Sequence, residues 1–207
     1  MPAIQITQRR SGGIILFKRF KCIMRRLYLS IMSHNVYNKQ GRFMSLGSVS
    51  SFDSLEFRNA LGTFATGVCV VTANPEGYEP FGMTVNSFAS VSLDPALVLW
   101  SLQNNSECFS VFEKADKFAV NILASDQIDL SNLYAQKNNH VLAPKHFRIG
   151  KSGLPVVRGV VTSFECNVWA RYPGGDHVIL VGEVTEMENN SNKEPLLFNA
   201  GQYRELR

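Results

Sequence analysis

A chain of 207 residues with 45% hydrophobic content can fill one ordinary domain with a proper core. It holds no apolar run near the roughly 20 residues that a membrane-crossing helix needs. The formal net charge of +4 is unevenly spread: residues 1–52 carry nine Lys/Arg and no acid, and the other 155 carry 12 basic and 17 acidic side chains, a net of −5. Such a break separates an extension from a body (1–52 and 53–207), and a mildly acidic body argues against nucleic acid as a partner.

The basic stretch "IILFKRFKCIMRRLYLSIM" fails as a secretory signal, because "IILF" is only four residues long before Lys18, short of the roughly 7–15 of an h-region. It reads as a disordered extension or as the product of an early start, with Met24, Met32 and Met44 as later initiators; a transit peptide or a membrane-surface helix is the other reading. "SLEFRNALGTF" then predicts a helix capped by Asp53 or Ser54. "ATGVCVVTA" is a β-branched strand that ends at the turn cluster "NPEGYEP". "GMTVNSFASVSL" alternates like one strand up to Asp94-Pro95, and "ALVLWSL" is a buried one.

"NNSECFSVFEKA" predicts a short helix with Ser106 as N-cap and Glu107 in its first turn. "KFAVNIL" is a strand, and "SDQIDLSNLYAQ" a helix capped by Ser125 or Asp126. Residues 137–153 read as an irregular polar loop. "VVTSFECNVWARY", the turn "PGG" and "DHVILVGEVTEM" form a long hairpin, and "PLLFNAGQYREL" closes the chain. The result is mainly β with a few short helices, and many short strands joined by tight turns suggest a closed antiparallel barrel, which removes exposed edges.

Several chemistries find no support. No G-x-G-x-x-G follows a strand, the "GKS" at 150–152 lacks the Walker glycine (145 is Lys145), and no G-x-S-x-G elbow occurs. Cys22, Cys69, Cys108 and Cys166 show neither C-x-x-C spacing nor a Cys/His cluster, so they read as reduced, buried thiols of a cytoplasmic protein. His140 and His146 read as solvated loop histidines rather than metal ligands, and no metal site is expected.

Two segments concentrate neutral polar groups. "MTVNSFASVSL" presents Thr84, Asn86, Ser87, Ser90 and Ser92 without one charge, which suits an uncharged heteroaromatic ring as well as it suits backbone bonding. "SLQNNSECF" runs Ser, Gln and Asn into a helix start at Ser106, where free N–H groups attract phosphate or simply take a cap. Together they describe flavin mononucleotide, and less closely pyridoxal phosphate. "GGDHVILVGEV" adds an acid and a histidine at a strand entry.

"FRNALGTFATGVCVVTA", "GMTVNSFASVSLDPALVLWSL", "KFAVNIL" and "GGDHVILVGEV", in that order over roughly residues 53–206, resemble the flavin reductase-like family of short-chain NAD(P)H:flavin oxidoreductases. The resemblance implies a split β-barrel of the FMN-binding type and a homodimer. It also implies hydride transfer from NADH or NADPH to FMN, FAD or riboflavin, with reduced flavin supplied to a partner monooxygenase. It places flavin contacts on Thr84, Val85, Asn86 and Ser87 and on Ser101, Leu102 and Gln103, with Ser106 near the phosphate. Gly175, Asp176 and His177 would approach the nicotinamide and flavin rings: His177 would bond a ring or supply a proton, Asp176 would orient it, and Tyr203 would border the pocket. Pro95-Ala96 departs from the family's frequent double proline. A non-enzymatic FMN-binding or electron-transfer protein, and an amine oxidase related to pyridoxamine-phosphate oxidase, are the alternatives.

Overall fold

The computed structural model describes residues 53–190 and 192–206. The basic extension, its alternative starts and Cys22 lie outside the described residues.

Two strands that follow each other in the chain sit at opposite edges of one sheet, and this decides the architecture. β2 (Cys69–Ala73), β3 (Phe81–Val85), β4 (Ala89–Leu93), β5 (Ala96–Gln103), β6 (Lys117–Ile122), β9 (Thr162–Gly174) and β10 (His177–Asn189) form a seven-stranded sheet in the order β3-β2-β6-β9-β10-β5-β4. Every pair in it is antiparallel. Laid flat, the edge strands β3 and β4 would stand about 29 Å apart at about 4.8 Å per strand. Only Asn86–Phe88 connects them, a reach of at most about 14 Å. The sheet therefore rolls up.

The link between β3 and β4 is tied to β5 by one hydroxyl. Ser87 Oγ accepts from Ser101 N at 3.0 Å and donates to Ser101 O at 3.2 Å, in the register that pairs Ala89 with Leu99 and Ser90 with Val98. The bond extends the β4–β5 pairing up to the seam and does not bridge β3 to β4. The expectation of full closure is thus corrected: the ladder is interrupted between β3 and β4, and the barrel is split.

Inside the roll, alternate residues of each strand meet. Trp100 lies at the centre with Phe112 and Phe118 edge-on at 4.9 and 6.0 Å, among Val71, Val120, Cys166 and Leu180. Gly182 is required by this packing, since a Cβ there would stand 2.5 Å from Phe118 Cζ. β2 is buried on both faces, because its outer side carries a second core of Val70, Leu123, Tyr134, Leu142, Val157 and Leu196. Burial pushes the thiols of Cys69 and Cys166 up to about 12 and that of Cys108 to about 11, so all three stay protonated.

The remaining elements cover this outer face. α1 (Ser54–Leu61) starts at Asp53, as expected, and ends three residues early. β1 (Thr66–Gly67) joins β11 (Leu197–Asn199) and β12 (Gln202–Arg204) in a separate three-stranded sheet, so "ATGVCVVTA" is two strands, not one. α2 (Phe109–Lys114) and α3 (Ile128–Ala135) begin two or three residues later than predicted. Ser125 and Asp126 cap nothing; Gln127 precedes α3, and Asp126 pairs with Lys193 at 3.3 Å. The stretch 137–153 is not wholly irregular: a 3-10 turn (Pro144–His146) leads into β7 (Phe147–Ile149), which pairs with β8 (Pro155–Val157). The buried Glu165 carboxylate fastens that hairpin by accepting from Lys151 N and Ser152 N at 2.9 and 2.7 Å.

Candidate active site

The residues 82–93, read as one strand, break where the sheet changes edge, and the break makes the site. The end of β3 presents Thr84, Val85 and Asn86 to a cleft of about 690 Å³, bounded also by α1, β1, α3 and the β11–β12 hairpin. That volume lies within the range of small-molecule and cofactor sites. Thr84 Oγ1 donates to Ser131 O at 2.8 Å. The Tyr203 hydroxyl bonds Ser131 Oγ and Asn132 Oδ1, both at 2.9 Å, and ties β12 to α3 across the cleft. Thr66 Oγ1, also on the lining, is buried with no partner among the described residues. The Asn86 side chain is exposed, and no described residue bonds it.

Past the seam the polar strip continues onto β5. Ser101, bonded to Ser87, lies two residues, about 7 Å, from Gln103, and Gln103 faces His177 across the ladder. Leu102 points the other way and is buried in the core, so only its backbone is open to a ligand. A two-residue turn joins β9 to β10. Gly175 stands at φ +72°, the left-handed region that the first central position of a type II′ hairpin turn requires.

The loop after β5 is stitched to this turn: Asn104 N donates to Asp176 O at 2.9 Å and Asn104 Nδ2 to Gly175 O at 3.3 Å. The Asp176 carboxylate lies 2.7 Å from His177 Nδ1. That hydrogen bond, and then the imidazole's charge, hold the Asp176 carboxyl below its ordinary value. With Nδ1–H given to the carboxylate, Nε2 is the nitrogen left for a substrate.

Ser106 needs a correction. It is not a helix N-cap: α2 begins at Phe109, its preceding residue is Cys108, and the Ser106 hydroxyl accepts from Cys108 N at 3.2 Å within its own turn. Glu107 is not in a helical first turn either. It accepts from Asn138 N at 2.9 Å and meets His140 Nε2 at 2.9 Å. The Asn138 bond first, and then His140, lower its carboxyl's pKa. Of the two histidines, His140 is not solvated and His146 is half-buried. His140 is 8% exposed and also contacts Gly82 O at 3.2 Å, while His146 Nδ1 sits 2.8 Å from the Tyr134 hydroxyl.

A cleft lined by neutral polar groups and Arg58, with one orphaned hydroxyl, fits a flavin, and the carboxylate-oriented histidine at the β9–β10 turn fits a nicotinamide. The model of the flavin reductase like domain matches residues 61–207. The chain belongs to this family. It is 46% identical over 152 residues to FMN reductase (NADH) SmoA of Agrobacterium fabrum, covering 73% of this chain and 85% of that one. The NADH:FAD oxidoreductase SgcE6 of Streptomyces globisporus, solved with NAD and FAD fragments, is 35% identical with a TM-score of 0.71, over 75% of this chain and 93% of that one. The styrene monooxygenase flavin reductase of Pseudomonas putida S12 is 34% identical with a TM-score of 0.64, over 72% and 95%.

Within the family fold, the structure brings Thr84, Val85, Asn86 and Tyr203 to one cleft, and Gln103, Gly175, Asp176 and His177 to one turn, with Ser87 and Ser101 between. Thr66, Ser131 and Arg58 also line the cleft, and sequence reasoning missed them. Thr66 looked like part of a buried strand and Ser131 like an ordinary helix residue; only an unused or shared hydroxyl, visible in three dimensions, sets them apart.

Proposed function

We propose that the chain is an NAD(P)H-dependent flavin reductase. The observation that carries this reading is the continuous polar strip from Asn86 through Ser87, Ser101 and Gln103 to His177, laid along one face of a split barrel. A flavin supplies the hydride acceptor and a nicotinamide the hydride. Holding such partners face to face is worth about 7–11 kcal/mol in well-oriented systems.

The protein's work is therefore positional. Thr84, Val85 and Asn86, together with the Leu102 backbone and Tyr203, border the ring site. Asp176 fixes the imidazole so that Nε2 of His177 bonds a nicotinamide or flavin edge or delivers a proton, and Gly175 lets the turn approach closely. The neutral groups around the ring site at Thr84–Asn86 favour flavin that comes and goes, consistent with delivery of reduced flavin to a partner monooxygenase. Exposed apolar side chains at Leu55, Leu61, Phe64 and Leu93, the last 97% exposed, support a homodimer. No helix among the described residues is long and apolar enough to cross a membrane, and three buried, protonated thiols favour a reducing, cytoplasmic setting.

The test is NADH and NADPH consumption by the purified protein, with and without added FMN, FAD or riboflavin. Oxidation should rise with free flavin. If flavin co-purifies but no nicotinamide is consumed, the protein is an electron-transfer flavoprotein and the reductase reading fails.

A further inference from the structure

Among the described residues, Arg58 is the only charged one on the lining of the 690 Å³ cleft. No ion pair or hydrogen bond engages its guanidinium among the described residues; only its backbone carbonyl is used, by Gly62 N at 3.0 Å. Glu56, two positions back on α1, does not share its helix face. A cation in the last turn of α1 is itself favoured by the helix dipole, but the dipole does not require the side chain to line a cavity. In a body of net charge −5, a free guanidinium on the same lining as the buried, unpartnered Thr66 hydroxyl is, among the described residues, the place in the cleft that selects an anion.

We infer that Arg58 binds a phosphate group of a nucleotide substrate. The inference rests on the reductase reading above and names the part of the substrate that the neutral wall at Thr84–Asn86 leaves unrecognised. A flavin ring and ribityl chain carry no charge to read; a phosphate does, and a guanidinium meets its oxygens with two parallel donors. The Ser106 turn supplies no cation for that purpose. Two phosphates share this chemistry, the 5′-phosphate of FMN and the pyrophosphate of the nicotinamide dinucleotide, and the experiment separates them.

Dissociation constants for FMN and riboflavin are measured by fluorescence quenching for the wild type, Arg58→Gln and Arg58→Lys. KM is measured for NADH and for 1-benzyl-1,4-dihydronicotinamide, which carries no phosphate. If Arg58 holds the flavin phosphate, Arg58→Gln weakens FMN about tenfold or more and leaves riboflavin within about twofold, while Arg58→Lys restores only part of the loss, because an ammonium keeps the charge and lacks the paired donors. If it holds the dinucleotide, the KM for NADH rises while those for the benzyl analogue and the FMN-to-riboflavin ratio stay put. A change of equal size for phosphorylated and unphosphorylated ligands, or no change for any of them, overturns the proposal. Wild-type protein that binds FMN without consuming NADH would refute the reductase reading and still decide Arg58 through the FMN-to-riboflavin ratio; binding of neither flavin refutes both.

Discussion

Asn121 and Asn86 are the same residue in two employments. Asn121, on β6, is fully buried: its Nδ2 donates to Val70 O at 2.9 Å and Thr72 Oγ1 at 3.2 Å, and its Oδ1 accepts from Val157 N at 3.0 Å. Asn86, just beyond β3, keeps its amide exposed and unbonded among the described residues. The threonines repeat the contrast, Thr72 bonding Pro155 O and Ala119 O, Thr66 nothing. On the barrel's outer face under α3, polar groups are consumed in joining β2, β6 and β8. Around the cleft the same groups have capacity left over. Polar residues on a strand do not by themselves mark a binding site; unused hydrogen-bonding capacity on a cleft lining adds to the case, whereas Trp100 Nε1, equally unpartnered among the described residues, is sealed in the core.

Exchanging residues on the two sides should produce opposite phenotypes. Asn121→Ala strands Val157 N and weakens the link to Val70 and Thr72, so it should cost about 2–4 kcal/mol in urea unfolding. The KM values of the folded fraction should stay unchanged; a changed KM with unchanged stability would erase the distinction. His177→Ala should do the reverse. It is expected to lower kcat or raise the KM for NAD(P)H by up to about tenfold, the worth of one net hydrogen bond, and to affect flavin binding and the melting temperature less. Steady-state kinetics with both parameters at wild-type values would return the Asp176–His177 pair to being a turn.

Tyr203→Phe sits on the border between the two regions, because its hydroxyl bonds two side chains of α3 while its ring bounds the cleft. A loss of about 1 kcal/mol with a modest rise in flavin KM is expected. A stability loss alone would make Tyr203 purely a strut. The smallest effect is a pH effect. Burial, and then the charge of Lys145, lower the pKa of His146, so the folded state favours the neutral ring that stands against the Tyr134 hydroxyl. The unfolded chain then binds the proton more readily, and stability must fall as pH drops through the ordinary histidine value and below it. Between about pH 7.5 and 5.5 the wild type should lose more melting temperature than His146→Gln; parallel curves would show that His146 does not contribute.

Much of the site could be read from residue types. The Gly-Gly turn before an alternating apolar run located the β9–β10 hairpin and placed Asp176 and His177 at its tip, because turn chemistry is local. Of the uncharged run Thr84–Ser92, Thr84 and Asn86 line the cleft, while Ser90 and Ser92 lie on β4 at the other edge of the sheet. Ser106 went wrong because a serine before a short apolar run signals a cap, whereas here its turn starts three residues ahead of α2. His140 went wrong because nothing in its neighbourhood in sequence announces Glu107 or Gly82, which lie 33 and 58 positions away.

The sequence by itself determined where most strands of the main sheet run, the long hairpin and the chemistry of the polar segments, because alternation and turn residues act over a few positions. The tertiary structure alone decided that residues 82–93 divide into β3 and β4 at opposite edges of a sheet. The alternation runs on through Asn86–Phe88, and a period of two records which side a residue faces but not which strand it pairs with. The tertiary packing also left Arg58 of α1 and Thr66 of β1 facing the same cleft as Thr84, a juxtaposition that belongs to no single segment of the chain.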